Sequence, residues 1–221
     1  MADELARRAG PGALFRMVDL QSPMDVAALI WDKTDFYAAL LENPEAVTDL
    51  VEKVKTLQFN FLDEWFRRYG REFIAHFPEY YLPQGVTLSV DEIGAVSGKM
   101  FLKYFLPDLN QFSERYNGLG IHCCANARHQ WEHFKKISGL RLLNIYNRAD
   151  ILREAYPFFA DFVAQWHIED EDTSPVPLAP LGWLKEIPAN AHFVLDVTAD
   201  SREHALQLSE ELSALAEKTT I

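Results

Sequence analysis

The chain has 221 residues, 48% of them hydrophobic and 24% charged, a composition that supports one packed core and argues against extended disorder. Its formal net charge of −12 excludes an electrostatically driven nucleic-acid surface, because phosphate binding needs a basic face. The two cysteines are adjacent, at 123 and 124, which rules out an ordinary disulfide framework and suits a reducing cytoplasm.

The polar N-terminus has no apolar signal core, and the longest apolar runs, such as Val26 to Trp31, are far shorter than a bilayer requires. No membrane partner is expected. Residues 1–20 offer a short polar helix, a Gly-Pro-Gly break at 10–12 and an apolar run through Leu14 and Val18. Ser22-Pro23 then starts a helix, with Ser supplying the N-cap oxygen and Pro fitting the first turn. Asn43-Pro44 repeats that signature and opens the longest helix. Along it Val47, Leu50, Val51, Val54, Leu57, Phe61 and Trp65 recur at helical spacing as one apolar stripe. The aromatic residues Phe73, Phe77, Tyr80 and Tyr81 follow and read as core or subunit contact.

From residue 85 the rhythm changes. Val86 to Val90 reads as a strand with Asp91-Glu92 at its end. Ser97 caps a helix running to about Tyr116, with Phe101, Tyr104, Phe105, Leu109 and Phe112 on its buried side and Pro107 kinking or splitting it. Gly118 to His122 is a short strand, followed by a helix from about Asn126 to Ile137 and a strand from Leu140 to Tyr146. Residues 149–160 are helical, Phe162 to Trp166 form a further strand, and the acidic, proline-bearing stretch from Glu169 to Pro180 is a loop. His192 to Val197 is the final strand. Asp200-x-x-Glu203 has the form of a capping box for a last helix whose core face carries Leu206, Leu212 and Leu215. Strands alternating with helices imply parallel strands and crossover helices, so the fold class is α/β, in a single domain over 1–221.

The most informative local feature is Gly120-Ile121-His122-Cys123-Cys124-Ala125-Asn126. Alternate side chains of an extended segment share a face, so His122 and Cys124 point the same way, although a one-residue slip of register would exchange Cys123 for Cys124. An imidazole nitrogen and a thiolate are both good zinc ligands, and a catalytic zinc needs a third ligand and an open position. Buried cysteine and satisfied core histidine are the plainer explanation of the same residues. Asp91 and Glu92 end the preceding strand; a carboxylate there accepts a substrate proton or ligand bond, or caps a helix. Asp25 is a first-turn helix acid. Asn144 and Tyr146 end the next strand and are candidates to line the same mouth, while His167 reads as a surface residue. Glu169 to Asp172 lacks the spacing of a calcium loop.

Several segments go further together: Asp91-Glu92-Ile93-Gly94-Ala95-Val96-Ser97, the helix from Phe101 ending in Leu106-Pro107, His122-Cys123-Cys124-Ala125-Asn126, and Leu140-Arg141-Leu142-Leu143-Asn144-Ile145. Upstream, Ser22-Pro23-Met24-Asp25 and Leu41-Glu42-Asn43-Pro44-Glu45 join them. The pattern resembles the uroporphyrinogen decarboxylase-like superfamily, especially its methyltransferase-type members, closely over 86–146 and loosely over 20–216. The resemblance implies a (β/α)8 TIM-type barrel, here partial and lacking the N-terminal strands, which include the arginine-bearing segment that decarboxylases use for porphyrinogen carboxylates. Leu29 stands near the place where those decarboxylases carry a tyrosine.

In the methyltransferases a His-x-Cys pair and a distant cysteine hold zinc. This chain has no third cysteine, and the corresponding region offers Asp196 and Asp200, so the implied ligand set is His122, Cys124 and Asp196 or Asp200. The implied chemistry is zinc activation of a small-molecule thiol that accepts a methyl group from a corrinoid, itself supplied by a partner protein. The alternatives are a metal-free decarboxylase relative, with Asp91 as acid and Asn144 and Tyr146 beside it, or an incomplete, non-catalytic barrel subunit that closes against a second copy of itself.

Overall fold

The computed structural model describes the chain except residues 78, 179, 180, 189, 196–198 and 218–221, together with the side chains of 215–217. It forms two compact units, Met1–Arg141 and Leu142–Ile221. Both are α/β. Among the described residues no helix is long and apolar enough to cross a membrane.

The first unit opens with helices α1 (Ala2–Ala9), α2 (Pro23–Ile30), α3 (Lys33–Glu42) and α4 (Pro44–Tyr69). Their starts follow side-chain chemistry. Ser22 Oγ accepts the Asp25 N–H at 3.2 Å, Asp32 accepts those of Thr34 and Asp35, and Asn43 accepts that of Ala46. The stripe expected on α4 divides along its length. Val47, Val51, Val54, Leu62 and Phe66 are buried, whereas Leu57 is 69% and Phe61 38% exposed. The helix carries two apolar faces, and its core face also takes in Lys55 and Gln58. Lys55 is drawn inside by Asp108, whose carboxylate lies 2.7 Å from its Nζ.

Strands β1 (Phe73–Ile74) and β2 (Tyr81–Leu82) form a small antiparallel hairpin. Strands β3 (Val86–Ser89) and β4 (Leu119–Cys123) pair in parallel, with Ser89 opposite His122. The segment before α2 pairs first with β1, at Arg16 and Ile74, and then with the end of β3, at Gln21 and Ser89: the Ser89 N–H donates to Leu20 O, and the Ser22 N–H to Ser89 O, both at 2.8 Å. That extended segment satisfies backbone groups an edge strand would otherwise leave open. Between β3 and β4 runs one helical stretch, made of α5 (Gly98–Met100), a π-helical turn at Phe101–Phe105 and α6 (Leu106–Tyr116). Pro107 therefore sits in the first turn of α6, and the wide turn just before it absorbs the missing N–H. The helix expected from about Asn126 to Ile137 is reduced to a 3-10 turn at Arg128–Gln130 and α7 (Trp131–Phe134), closed by Gly139 at φ +66°.

Alternation divides the β3–β4 pair into two faces. Val86, Leu88 and Val90 with Leu119, Ile121 and Cys123 are each at most 1% exposed and form the apolar face, against which α6 brings Leu109, Phe112 and Tyr116. Thr87, Ser89, Gly120 and His122 form the other face, and it is polar.

The second unit contains most of β5 (Leu140–Asn147), then α8 (Ala149–Phe158), β6 (Ala164–Glu169), β7 (Phe193–Leu195) and α9 (Arg202–Glu217). Strand β6 pairs in parallel with both β5 and β7. It begins later than expected, because the N–H groups of Phe162 and Val163 close turns on Phe159 O. At α9 the cap is Ser201, whose Oγ accepts the His204 N–H at 3.1 Å, not Asp200. The face shifts accordingly: Leu206 is 51% exposed and Leu208 is 5% exposed, while Leu212 is half-buried and the Leu215 side chain lies outside the described residues.

His167, read from sequence as a surface residue, is fully buried. Its Nδ1 accepts the Ile145 N–H at 3.1 Å, which places the ring proton on Nε2 for donation to Gln165 Oε1 at 3.0 Å. Burial drives its pKa down to about 3. The Tyr156 ring packs on it with centroids 4.6 Å apart and also meets Trp183 and Phe193.

Candidate metal centre

The C-terminal end of β3 is held by residues distant in sequence. The Val90 N–H donates to His122 O at 2.8 Å, and the chain then turns through Asp91 into a 3-10 turn at Glu92–Ala95. Asp25, 2% exposed in the first turn of α2, receives that turn: its Oδ1 accepts the N–H groups of Asp91 at 2.6 Å and Glu92 at 2.9 Å. Its other oxygen meets the Ser22 hydroxyl. Burial pushes the Asp25 carboxyl up to about 7, against the pull of these hydrogen bonds. Asp25 thus anchors the strand end as well as its own helix.

Glu92 is held by Lys33 Nζ at 2.5 Å and by the Tyr37 hydroxyl. The fully buried Gln130 donates to Ile93 O at 3.1 Å and Val96 O at 2.7 Å, tying the turn to the segment after β4. The two turns touch at Gly94, where an added Cβ would lie 2.7 Å from Ala125 Cβ.

This framework gathers three side chains. One ligand atom each from Asp91, His122 and Cys124 lie within 4.8 Å of one another. Asp91 Oδ1 also accepts the Cys124 backbone N–H at 2.7 Å, so the carboxylate holds the cysteine it faces. His122 is 7% exposed, with the Phe77 ring centroid 4.0 Å from its own. Cys124 is exposed, whereas Cys123 points to the apolar face with its Sγ 3.8 Å from Ala125 O. Of the two cysteines it is therefore Cys124 that shares the cluster with Asp91 and His122. Partial burial, then the charge of Asp91, raise the Cys124 thiol to about 11. In these surroundings it is a protonated thiol, unsuited to act alone as a nucleophile. A carboxylate oxygen, an imidazole nitrogen and a cysteine sulfur make a donor set that fits zinc with one position left open.

The remaining expected site residues, Asn144, Tyr146, Asp196 and Asp200, belong to the second unit. Asp196 lies outside the described residues. The Asp200 side chain is 96% exposed, with its carboxylate 3.8 Å from His204 Nδ1. Asn144 is completely buried, and its amide donates to Trp166 O. Tyr146 is half-buried on β5, opposite Ile168 of β6. Asp91, expected at this strand end as an acid or as a group accepting a ligand bond, stands with His122 and Cys124.

A second polar group on the same face of β3–β4 went unread in the sequence. His76, 2% exposed, has Nδ1 2.6 Å from Thr87 Oγ1 and Nε2 3.2 Å from Asp19 Oδ1. The Ser89 hydroxyl donates to the same Asp19 oxygen at 2.8 Å and lies 3.5 Å from His76 Nε2. His76 first, with help from Ser89 and His122, holds the Asp19 carboxyl down to about 2. Ser89 shares its ring nitrogen with the acid, and the Thr87 hydroxyl on the opposite nitrogen is only 1% exposed, so no accessible hydroxyl stands where a serine-hydrolase relay needs its nucleophile. The one local signal of this polar group is that Thr87 and Ser89 alternate with apolar residues in a strand buried throughout.

Comparisons with protein-family models, curated proteins and solved structures found no match to this chain.

Proposed function

We propose that this chain is a zinc-dependent, thiol-activating protein of the uroporphyrinogen decarboxylase-like type, with Asp91, His122 and Cys124 as the protein ligands. The observation that carries the reading is the convergence of their three ligand atoms at the ends of two parallel strands, the place where parallel α/β folds keep their chemistry. Parallel strands with helical crossovers are compatible with a partial (β/α)8 barrel. When bound, zinc would lower the pKa of a small-molecule thiol in the open position, making it a methyl acceptor for a corrinoid brought by a partner protein.

The chain's own groups do the positioning. Asp25 fixes the turn that presents Asp91, Asp91 holds the Cys124 backbone, and Phe77 restricts the His122 ring. The raised thiol pKa of Cys124 counts against an unassisted cysteine nucleophile.

The test is zinc content in protein purified without chelator. About one ion per chain is expected, with loss in His122→Ala and Cys124→Ser and at least tenfold weaker binding in Asp91→Asn, the order of effect for a lost ligand. Folded protein that takes up no zinc on titration would end the proposal.

A further inference from the structure

The charge around the cluster says which thiol it would take. Asp19 sits on the extended segment beside β3, and its carboxylate is bonded to Ser89, the residue directly opposite His122. Paired strands lie about 4.8 Å apart, so Asp19 and His122 are near neighbours on one face. The charge of His122 is among the causes that lower the Asp19 pKa. The Asp19 side chain is nonetheless 59% exposed, held in place by buried His76 and by Gln21 Nε2 at 3.2 Å from its second oxygen. It is thus a fixed carboxylate open to solvent beside the cluster. Nearby cations are already committed: Lys33 to Glu92, and Arg16 to Glu79 and the His76 carbonyl.

Counting charge at the centre gives the consequence. A divalent ion with the Asp91 carboxylate and the Cys124 thiolate is neutral. A substrate thiolate makes it negative, and Asp19 adds a second negative charge beside it. An anionic thiol meets repulsion here, and a thiol with a cationic group meets attraction.

We propose that Asp19 is a specificity-determining residue that selects a thiol substrate carrying an ammonium or similar cationic group. This rests on the metal-centre reading and names the substrate class for that site.

The experiment uses the full chain loaded with cobalt in place of zinc and follows the sulfur-to-cobalt charge-transfer band during titration. The probes are cysteamine, 2-mercaptoethanol and mercaptoacetate, which are cationic, neutral and anionic at their substituents. In the unmodified chain the order of affinity is cysteamine, then mercaptoethanol, then mercaptoacetate. In Asp19→Asn the preference for cysteamine over mercaptoethanol falls about tenfold, the size expected for a partly screened charge pair several ångströms apart. Cobalt uptake by the variant establishes that it is folded, and mercaptoethanol, whose bound thiolate Asp19 also repels, binds it no more weakly than it binds the unmodified chain. Because the ratio is compared between proteins, the probes' own thiol acidities cancel. Raising the salt concentration erodes the preference in the unmodified chain alone. An unchanged ratio in Asp19→Asn, or an unmodified chain that prefers mercaptoacetate, overturns the assignment while the metal centre stands. A chain that takes up no cobalt overturns both.

Discussion

Gly94 shows how closely the site depends on single atoms. A Cβ at that position would stand 2.7 Å from Ala125 Cβ, and both neighbours are backbone-borne and cannot swing away. Gly94→Ala should therefore push the turn carrying Asp91 off the turn carrying Cys124, costing about 1–3 kcal/mol by the usual scale of overpacking. Urea unfolding should register that loss, with zinc affinity falling in the same variant. A variant with unaltered stability and affinity would mean the two turns separate freely. The His-x-Cys pair was legible in the sequence because strand alternation alone puts residues 122 and 124 on one side. Asp91 was legible as a strand-end carboxylate, but its contact with Cys124 was not, since its position depends on Asp25, 66 residues earlier, accepting its N–H. Asp19 and His76 were hidden for the same reason: Asp19 meets Ser89 across 70 residues.

At the scale of elements, α4 is the instructive case. Its apolar residues follow helical spacing on two faces, so periodicity gave a helix but could not choose the inward side. The choice is made partly by Lys55 and Asp108, 4% and 7% exposed, which pair inside the first unit. Removing one partner strands the other. Lys55→Ala should destabilise the protein by about 3–5 kcal/mol, whereas Lys55→Met combined with Asp108→Leu should be close to neutral. Denaturant unfolding of the single and double variants decides this. A double variant as unstable as the single would show that the ion pair itself, and not the burial of an unpaired charge, carries the stability. The strands were better read than the helices, because short β-branched and apolar runs bounded by Gly, Pro and Asp leave few alternative registers. The shortened helix around α7 was misjudged because Gln130, a good helix former, is used through its side chain to bind Ile93 and Val96.

Across the whole molecule, stability should depend on pH through two buried groups of opposite sign. His167 has a pKa lowered to about 3, so its neutral form is favoured by folding. Its contribution is complete above its ordinary value of about 6.5 and is lost as pH falls toward about 3. Asp25, raised to about 7, works the other way: its contribution is complete below its ordinary value near 4 and is lost as pH rises through about 7. In metal-free protein the two oppose each other, so a variant must separate them. His167→Gln should be less stable at neutral pH yet should remove about 2–3 kcal/mol of the loss between about pH 7 and pH 4.5. Equal slopes for variant and parent in urea unfolding at the two pH values would show that the ring gains solvent before it gains a proton. The α/β class was readable at this scale because β3, β4 and β5 are each followed by a helix or helical turn within a few residues.

The wide turn at Phe101–Phe105 bears on how such a chain can change over time. An i→i+5 turn holds one residue more than the α-helix around it, and both Phe101 and Phe105 still reach the core. Loss of a residue there would tighten the turn to ordinary α geometry and leave the pairing of Ser89 with His122 in place. Loss of a residue within β4 would reverse the face of every side chain beyond it and pull His122 and Cys124 out of the cluster. Lineages descended from this sequence should therefore differ in length at the wide turn and keep strict length through the strand.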